Sequence, residues 1–475
     1  MKYLLDVLKG TEGIVCPAED LEQAELATVM QKIPAASVVP SHVYRGGDGA
    51  YVVVFEDVSV ALFDEYVIAL EAAGFTLYTR TNFDGALDEH KNCFATYLSD
   101  AYSVDLGYHT RGYVGCGDAF EGGILYVTVT PRKGLVLPLT EAPSYTPVDA
   151  TKYPVTLTQL GLGKYHKNSA ANCYVLRLVD GSFIIYDTPH GVTIDDRSVG
   201  HELYDLLRKQ APDPENIVIT AWVTTHPHQD HMQGLVKFSN LYATGAGVTV
   251  KQFVHNFADD TVAAEFERTN QDQVREAIKR FGDGVEVVKP HTGNVLHYPG
   301  VTFRVLYTQE EHLVLNQGGR YYYGNSASLV MQMVTDDGCK VLFGGDSPMN
   351  ELIWENKAMT YGSIHKWYGR MIESDVMTYF HHGFPAGSRL ANTQVIKPKI
   401  VLWPSTWGQI EIAHMTSSKH AAYFTDLEEG ILHETPNANG VYGWFVADDN
   451  VHVLCLRDGT VSITVYDTLD AYYES

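Results

Sequence analysis

Residues 225–234 read THPHQDHMQG, and they place His226, His228, Asp230 and His231 within six positions directly behind the β-branched run ENIVITAWVTT. Neutral imidazole nitrogens and a carboxylate oxygen are the ligand set that zinc prefers, at about 2.0–2.2 Å. Alternate side chains of an extended segment point the same way, so His226 and His228 are expected to converge on one ion. Asp230 and His231, beyond the turn, are expected to face a second. A lone histidine is ordinarily a surface or core residue, but four ligand-type residues packed this tightly behind a strand point to a metal site.

The cluster resembles the HxHxDH signature of the metallo-β-lactamase fold superfamily, and the resemblance runs from about residue 155 to at least 410. Upstream, NCYVLRLVDGSFIIYDTP (172–189) is similar to that family's opening hairpin, a strand pair ending in an aspartate, here Asp187. Downstream, KVLFGGDSP sets Asp346 after an apolar strand, like the family's metal-bridging aspartate. DVMTYFHHG then ends a strand in His381, His382 and Gly383, and the family pattern makes His382 the last metal histidine. Chemistry supports Asp346 independently, because a carboxylate has two equivalent oxygens and can bridge cations about 3.5–4 Å apart. The glycines before it permit close backbone approach. Taken alone, Asp346 reads equally well as a turn aspartate; the order of the whole set decides for the ligand.

One position departs from the family. Where a further histidine is usual, in a glycine-flanked turn before a strand beginning at serine, this chain has YYYGNSASLVMQM, with Asn325 in its place. An asparagine oxygen is a weaker, harder ligand than imidazole, so one ion is expected to be held loosely or completed by water. His255, His291, His297 and His312 lie in the same interval and read as surface histidines. The combination of this asparagine with SLV, GGD and HHG looks most like the domains related to DNA-uptake competence proteins and choline-phosphate esterases, which implies phosphoester chemistry. Flavodiiron oxygen reductases carry HxExDH, with a carboxylate where this chain has His228, and the nitrogen-rich set favours zinc.

The resemblance implies two Zn2+ ions, with Mn2+ or Fe also able to load. It implies a metal-activated water of pKa near 7, with Asp230 orienting the nucleophile besides binding metal. His381 is placed to touch negative charge developing on the substrate, and simple packing at a strand end is its equal alternative. The leading expectation is a zinc-dependent metallo-hydrolase acting on a small phosphoester or phosphodiester. A carbonyl hydrolase (lactonase, amidase or β-lactam hydrolase) is the alternative, and a non-catalytic metal-binding protein the second.

Composition narrows the partners. The 475 residues hold 34 basic and 58 acidic side chains, a formal charge of -24, and no stripe of lysine and arginine with interleaved aromatics. Such a chain repels phosphate polymers. A small-molecule substrate is expected and duplex nucleic acid is not; a homo-oligomer stays open. The opening MKYLLDVLKGTEG lacks a secretory apolar region, and no window approaches the roughly 18–20 apolar residues of a membrane span. Cysteines 16, 93, 116, 173, 339 and 455 form no CxxC pair and read as free thiols of a cytoplasmic protein.

Five prolines between 131 and 154 mark a break. The expected organisation is a small α+β domain over 1–132, a linker over 133–154 and a metallo-β-lactamase-like hydrolase domain over 155–475. The first unit shows strands at GAYVVVFEDVS, FTLYTRTN, SVDLGYHT and GGILYVTVTP, and a helix with Leu62, Tyr66, Leu70 and Ala73 on one face. His90, His109 and Cys116 lack ligand spacing, so this unit is expected to add no chemistry while covering the cleft or contacting another chain. The second unit alternates strands and helices as an α/β αββα sandwich does. It includes a helix starting in MQGLVKFSNL and an amphipathic one carrying Val274, Ile278 and Phe281. Tyr321, Tyr322 and Tyr323 suggest either an aromatic wall or ordinary strand packing, the latter favoured; Trp403 and Trp407 read as core.

Overall fold

The computed structural model describes residues 40–45, 49–84, 91–110, 122–149, 153–166, 172–260, 263–311, 324–347, 351–354, 357–360, 364–383, 390–412 and 426–475. His90, Cys16, Cys116, His312 and the three tyrosines at 321–323 lie outside them.

The first unit is a six-stranded antiparallel sheet in the order His42–Arg45, Tyr51–Val58, Gly123–Pro131, Tyr102–His109, Lys91–Leu98, Thr76–Asp84. Helix α1, Val60–Ala72, covers one face through Leu62, Phe63, Tyr66, Val67 and Leu70. Ala73 does not share that face: it is the exposed residue that ends the helix. Lys91–Leu98 had a weak strand signal of its own, since Lys91, Asn92 and Ala95 dilute its β-formers, and it is a strand because it sits between two others.

The rest of the described residues form two stacked sheets and a separate two-stranded hairpin, Glu351–Trp354 with Lys357–Thr360. One has eight strands, in the order Glu286–Val288, Val248–Val254, Ile217–Val223, Phe183–Tyr186, Tyr174–Arg177, Val155–Leu160, Val451–Arg457, Thr460–Tyr466. Its partner has seven, in the order Val295–Tyr298, Val301–Tyr307, Val330–Thr335, Lys340–Phe343, Val376–Thr378, Ile400–Trp403, Gly443–Val446. Leu176, Tyr186, Val223, Phe303, Met331 and Phe343 belong to the shared apolar core between them. On the far side of the eight-stranded sheet lie α2 (Val199–Gln210), α3 (Gln229–Tyr242) and α4 (Glu265–Arg280), whose Leu203, Leu235 and Val274 pack with Ile219, Trp222 and Phe253. The other outer face holds helices Ile364–Tyr368 and Leu390–Ile396 and, through Val52, Val54, Phe94 and Tyr126, the first unit's sheet. This is an αββα sandwich, with an extra N-terminal α+β layer.

Strands Phe183–Tyr186 and Ile217–Val223 run parallel, as do Lys340–Phe343, Val376–Thr378 and Ile400–Trp403. Ligand sites in α/β sheets gather beyond the carboxyl ends of parallel strands. Asp187, the 225–231 segment, Asp346, His382 and Pro404 each follow one of these ends. Among the described residues no helix is long and apolar enough to cross a membrane, and Cys93, Cys173, Cys339 and Cys455 are free thiols.

Candidate metal centre

Strand Ile217–Val223 is buried almost throughout and delivers the chain to Thr224 and Thr225, both buried. Helix α3 begins at once: His228 is its N-cap, in extended backbone, and its carbonyl accepts the His231 and Met232 N–H groups at 3.0 and 3.1 Å. Asp230 and His231 therefore project from a helical first turn and not from a loop beyond a turn. An acidic residue there also complements the positive end of the helix.

Asp346 sits between two groups of side chains. Its Oδ1 is 3.1 Å from His231 Nε2 and 3.2 Å from His382 Nε2; its Oδ2 is 3.8 Å from both His226 Nε2 and His381 Nε2. His382 Nε2 also lies 3.4 Å from Asp230 Oδ2. Asp230, His231, Asp346 and His382 each bring one ligand atom within 4.8 Å of all the others. His226 stands beside this group, its ring 4.1 Å from that of His231.

The surrounding hydrogen bonds orient three imidazoles alike. His231 Nδ1–H donates to Asp187 Oδ2 at 2.8 Å, and Asp187 is itself fixed by the Thr225 N–H at 2.8 Å and the Thr225 hydroxyl at 2.9 Å. His226 Nδ1 meets the Ser328 hydroxyl at 3.1 Å, and Ser328 Oγ also accepts the Asp346 N–H at 3.1 Å. His382 Nδ1–H donates to the Pro404 carbonyl at 2.9 Å. Oxygen partners on Nδ1 leave the Nε2 lone pairs directed at Asp346, as the outer hydrogen bonds of metal-bound histidines do.

The residues present fit a metal ion. His226 Nε2 is buried without a hydrogen-bond partner among the described residues; an orphaned buried nitrogen is costly unless something else satisfies it. Burial, then the positive ends of His231 and His228, hold the His226 pKa well below the ordinary histidine value. Burial opposes charge on His382 and His231 too, but Asp346 overrides it, joined by Asp230 at His382 and by Asp187 at His231, lifting His382 to about 9 and His231 well above the ordinary value. Asp346 and Asp230 are held well below the carboxylate range despite burial, by those same histidines. The positive charge that this pair of carboxylates demands is what a bound cation would supply.

The turn carrying His381 and His382 is held in an unusual backbone. Both residues are left-handed, at φ 48 and φ 53, a conformation that costs a non-glycine residue about 1–3 kcal/mol and persists only when its surroundings enforce it. The His381 N–H to the Gly345 carbonyl (3.0 Å) and the Trp403 indole N–H to the His382 carbonyl (2.6 Å) enforce it here. Gly345 is itself at φ +51, where an added Cβ would press on Thr225 and Ser328 at 3.0 Å, so the glycines before Asp346 serve the close approach their sequence suggested.

Two expected positions stand differently. His228 does not converge with His226 through Nε2, which is 3.1 Å from Glu267 Oε1 on α4, although the two rings lie 4.5 Å apart. Asn325 is buried in the turn Gly324–Ala327, and its amide nitrogen is 2.8 Å from His381 Nε2. His291, expected at the surface, is buried between Glu310 at 3.1 Å and Asp105 at 3.6 Å; neither it nor His255 or His297 joins the cluster. Glu267 and Ser328 went unread: Ser328 was visible only as the serine opening a strand, and Glu267, 39 positions from His228, looked like any acidic residue in a helix's first turn.

No protein-family model matches the chain, and no curated protein matches it. Among solved structures it is similar to the metallo-beta-lactamase fold protein YhfI from Bacillus subtilis, at 12% identity and a TM-score of 0.35, covering 66% of this chain and 100% of that one. It is also similar to a possible metal-dependent hydrolase from Veillonella parvula DSM 2008, at 12% identity and a TM-score of 0.23, covering 47% and 71%. Likeness at this level carries nothing about residues or reaction.

Proposed function

We propose that this chain is a metal-dependent hydrolase built around two divalent cations bridged by Asp346, and that its substrate is a small phosphoester or phosphodiester. The observation that carries the reading is the division of Asp346: one oxygen faces His231 and His382, the other His226 and His381. Asp230, His231 and His382 would hold one ion and His226 and His228 the other, and a set this rich in imidazole suits zinc. Bound there, two such ions supply Lewis acidity and a water acidified to a pKa of about 7.

The chain's own groups then have separable tasks. Asp187 and the Pro404 carbonyl fix the tautomers of His231 and His382, and Ser328 holds the His226 ring, so no reorientation is required when substrate arrives. Asp230 is partly exposed where its neighbours are buried, which places a carboxylate at the open side of the centre to orient the nucleophile. His381 is kept neutral chiefly by burial, and we assign it the contact with the substrate's developing negative charge. The small-substrate assignment is supported by the -24 charge, which opposes duplex approach.

The test is a screen of the zinc-loaded protein against a bis-aryl phosphodiester, a lactone, a β-lactam, plasmid and oligonucleotide. Turnover of the small phosphodiester above all the others is expected. Preferred lactone or β-lactam turnover would move the reading to carbonyl hydrolysis, and nuclease activity falling steeply with salt would overturn the small-substrate assignment.

A further inference from the structure

We propose that Glu267 is the positioning residue for the His226–His228 half of the centre: it accepts the His228 Nε2–H and so makes Nδ1 the nitrogen that His228 presents to a metal ion. The inference rests on the two-ion reading above. His226, His231 and His382 each turn Nδ1 to a protein oxygen and Nε2 inward. His228 is reversed, with Nε2 3.1 Å from Glu267 Oε1.

The carboxylate is placed for this by its own helix. Glu267 is 2% exposed, and its second oxygen accepts the Ala264 N–H at 3.0 Å, closing the first turn of α4. Three residues on, Asn270 donates its amide N–H to the Pro227 carbonyl at 2.8 Å, so α4 grips the metal loop at Pro227 and His228 together. Gly324 seals the pair from the other side. A Cβ there would press on Glu267 Oε1 and, at 2.8 Å, on His228 Nε2, so a larger residue in the turn that carries Asn325 would displace the carboxylate or the imidazole.

A carboxylate on the distal nitrogen of a ligand imidazole fixes its tautomer and raises its basicity, and removing such a partner typically costs about 10–100-fold in metal affinity. A purely helix-capping Glu267 would behave otherwise, since losing it would loosen α4 regardless of His228. The two roles separate in a cobalt titration of the full chain, followed by affinity and by the visible d–d spectrum, for wild type, Glu267→Ala, Glu267→Gln, His228→Ala and the Glu267→Ala/His228→Ala double variant.

Wild type should take up two Co2+. Glu267→Ala should weaken one of them about 10–100-fold and change that ion's d–d band while the other keeps its affinity. Glu267→Gln, whose single amide oxygen can still accept the His228 N–H while giving up the Ala264 contact, should recover part of the loss, and Glu267→Ala should add nothing in the His228→Ala background. Unchanged binding of both ions in Glu267→Ala, equal weakening of both, or an effect that persists without His228 would overturn the proposal. Wild type taking up no cobalt would overturn the two-ion reading itself and this inference with it.

Discussion

Asp346 is the residue on which both halves of the centre depend, since each of its oxygens faces a different pair of histidines. Asp346→Ala should therefore lower metal content at both positions and reduce hydrolysis by more than the 10–100-fold that loss of an outer hydrogen-bond partner costs. Asn325→Ala should do less damage, because the Asn325 amide is tied to His381 at 2.8 Å. Elemental analysis of the two purified variants checks this, and equal metal loss would make Asn325 a ligand in its own right. Asp230 and His231 were legible because ligand chemistry restricts residue type and because short spacing survives any fold, whereas His382 was legible only through the resemblance to a family pattern. Glu267 and Ser328 were not, since a carboxylate or hydroxyl acquires an outer role only when strands and helices distant in sequence meet. His228 was half legible: its place beside His226 followed from spacing, and the nitrogen it turns inward did not.

At the scale of elements, the centre is as rigid as the strand ends that carry it. The periodicities of the second unit gave α3, α4 and most of its strands but not α2, and alternation along an extended segment misdirected the metal loop, because α3 starts at Gln229 and its helical turn aims Asp230 and His231. Phe343 ends the strand that leads through two glycines to Asp346, and it bridges the sheets, stacked on Tyr186 with ring centroids 4.3 Å apart and set edge-on to Tyr174 at 5.9 Å. Phe343→Ala should cost about 3–5 kcal/mol, the usual result of emptying a buried aromatic site. Relaxation into that cavity would also shift Asp346, so metal affinity should fall although no ligand is touched. Urea unfolding with and without zinc measures both effects; a loss below about 1 kcal/mol with metal affinity intact would mean that the inter-sheet core does not hold the site edge in register.

At the scale of the whole molecule, the N-terminal sheet has α1 on one face and the sandwich on the other, and His109 sits where that sheet meets the rest of the chain. In the sequence it was a histidine without ligand spacing; in the fold it is fully buried, stacked on Trp367 with ring centroids 3.9 Å apart. Its Nδ1–H donates to Asn92 Oδ1 at 3.1 Å and its Nε2 meets the Tyr126 hydroxyl at 2.7 Å. Burial brings its pKa down to about 3. The unfolded chain takes up this proton near pH 6.5, so between pH 6.5 and about 3 the unfolded state binds more protons than the folded one and stability falls as the pH falls. Above pH 6.5 both states are neutral at this site and its stabilisation is fully present. At pH 5 the difference amounts to about 2 kcal/mol, one and a half pH units at about 1.4 kcal/mol each. Buried carboxylates add their own acid sensitivity, so the informative quantity is a difference between variants: His109→Gln should be less stable than wild type at pH 7 yet lose about 2 kcal/mol less between pH 7 and pH 5. Urea unfolding of both proteins at the two pH values, following the tryptophan signal to which Trp367 contributes, measures it. Parallel losses in wild type and variant would show that acid acts elsewhere and that the junction of the two units does not depend on a neutral histidine.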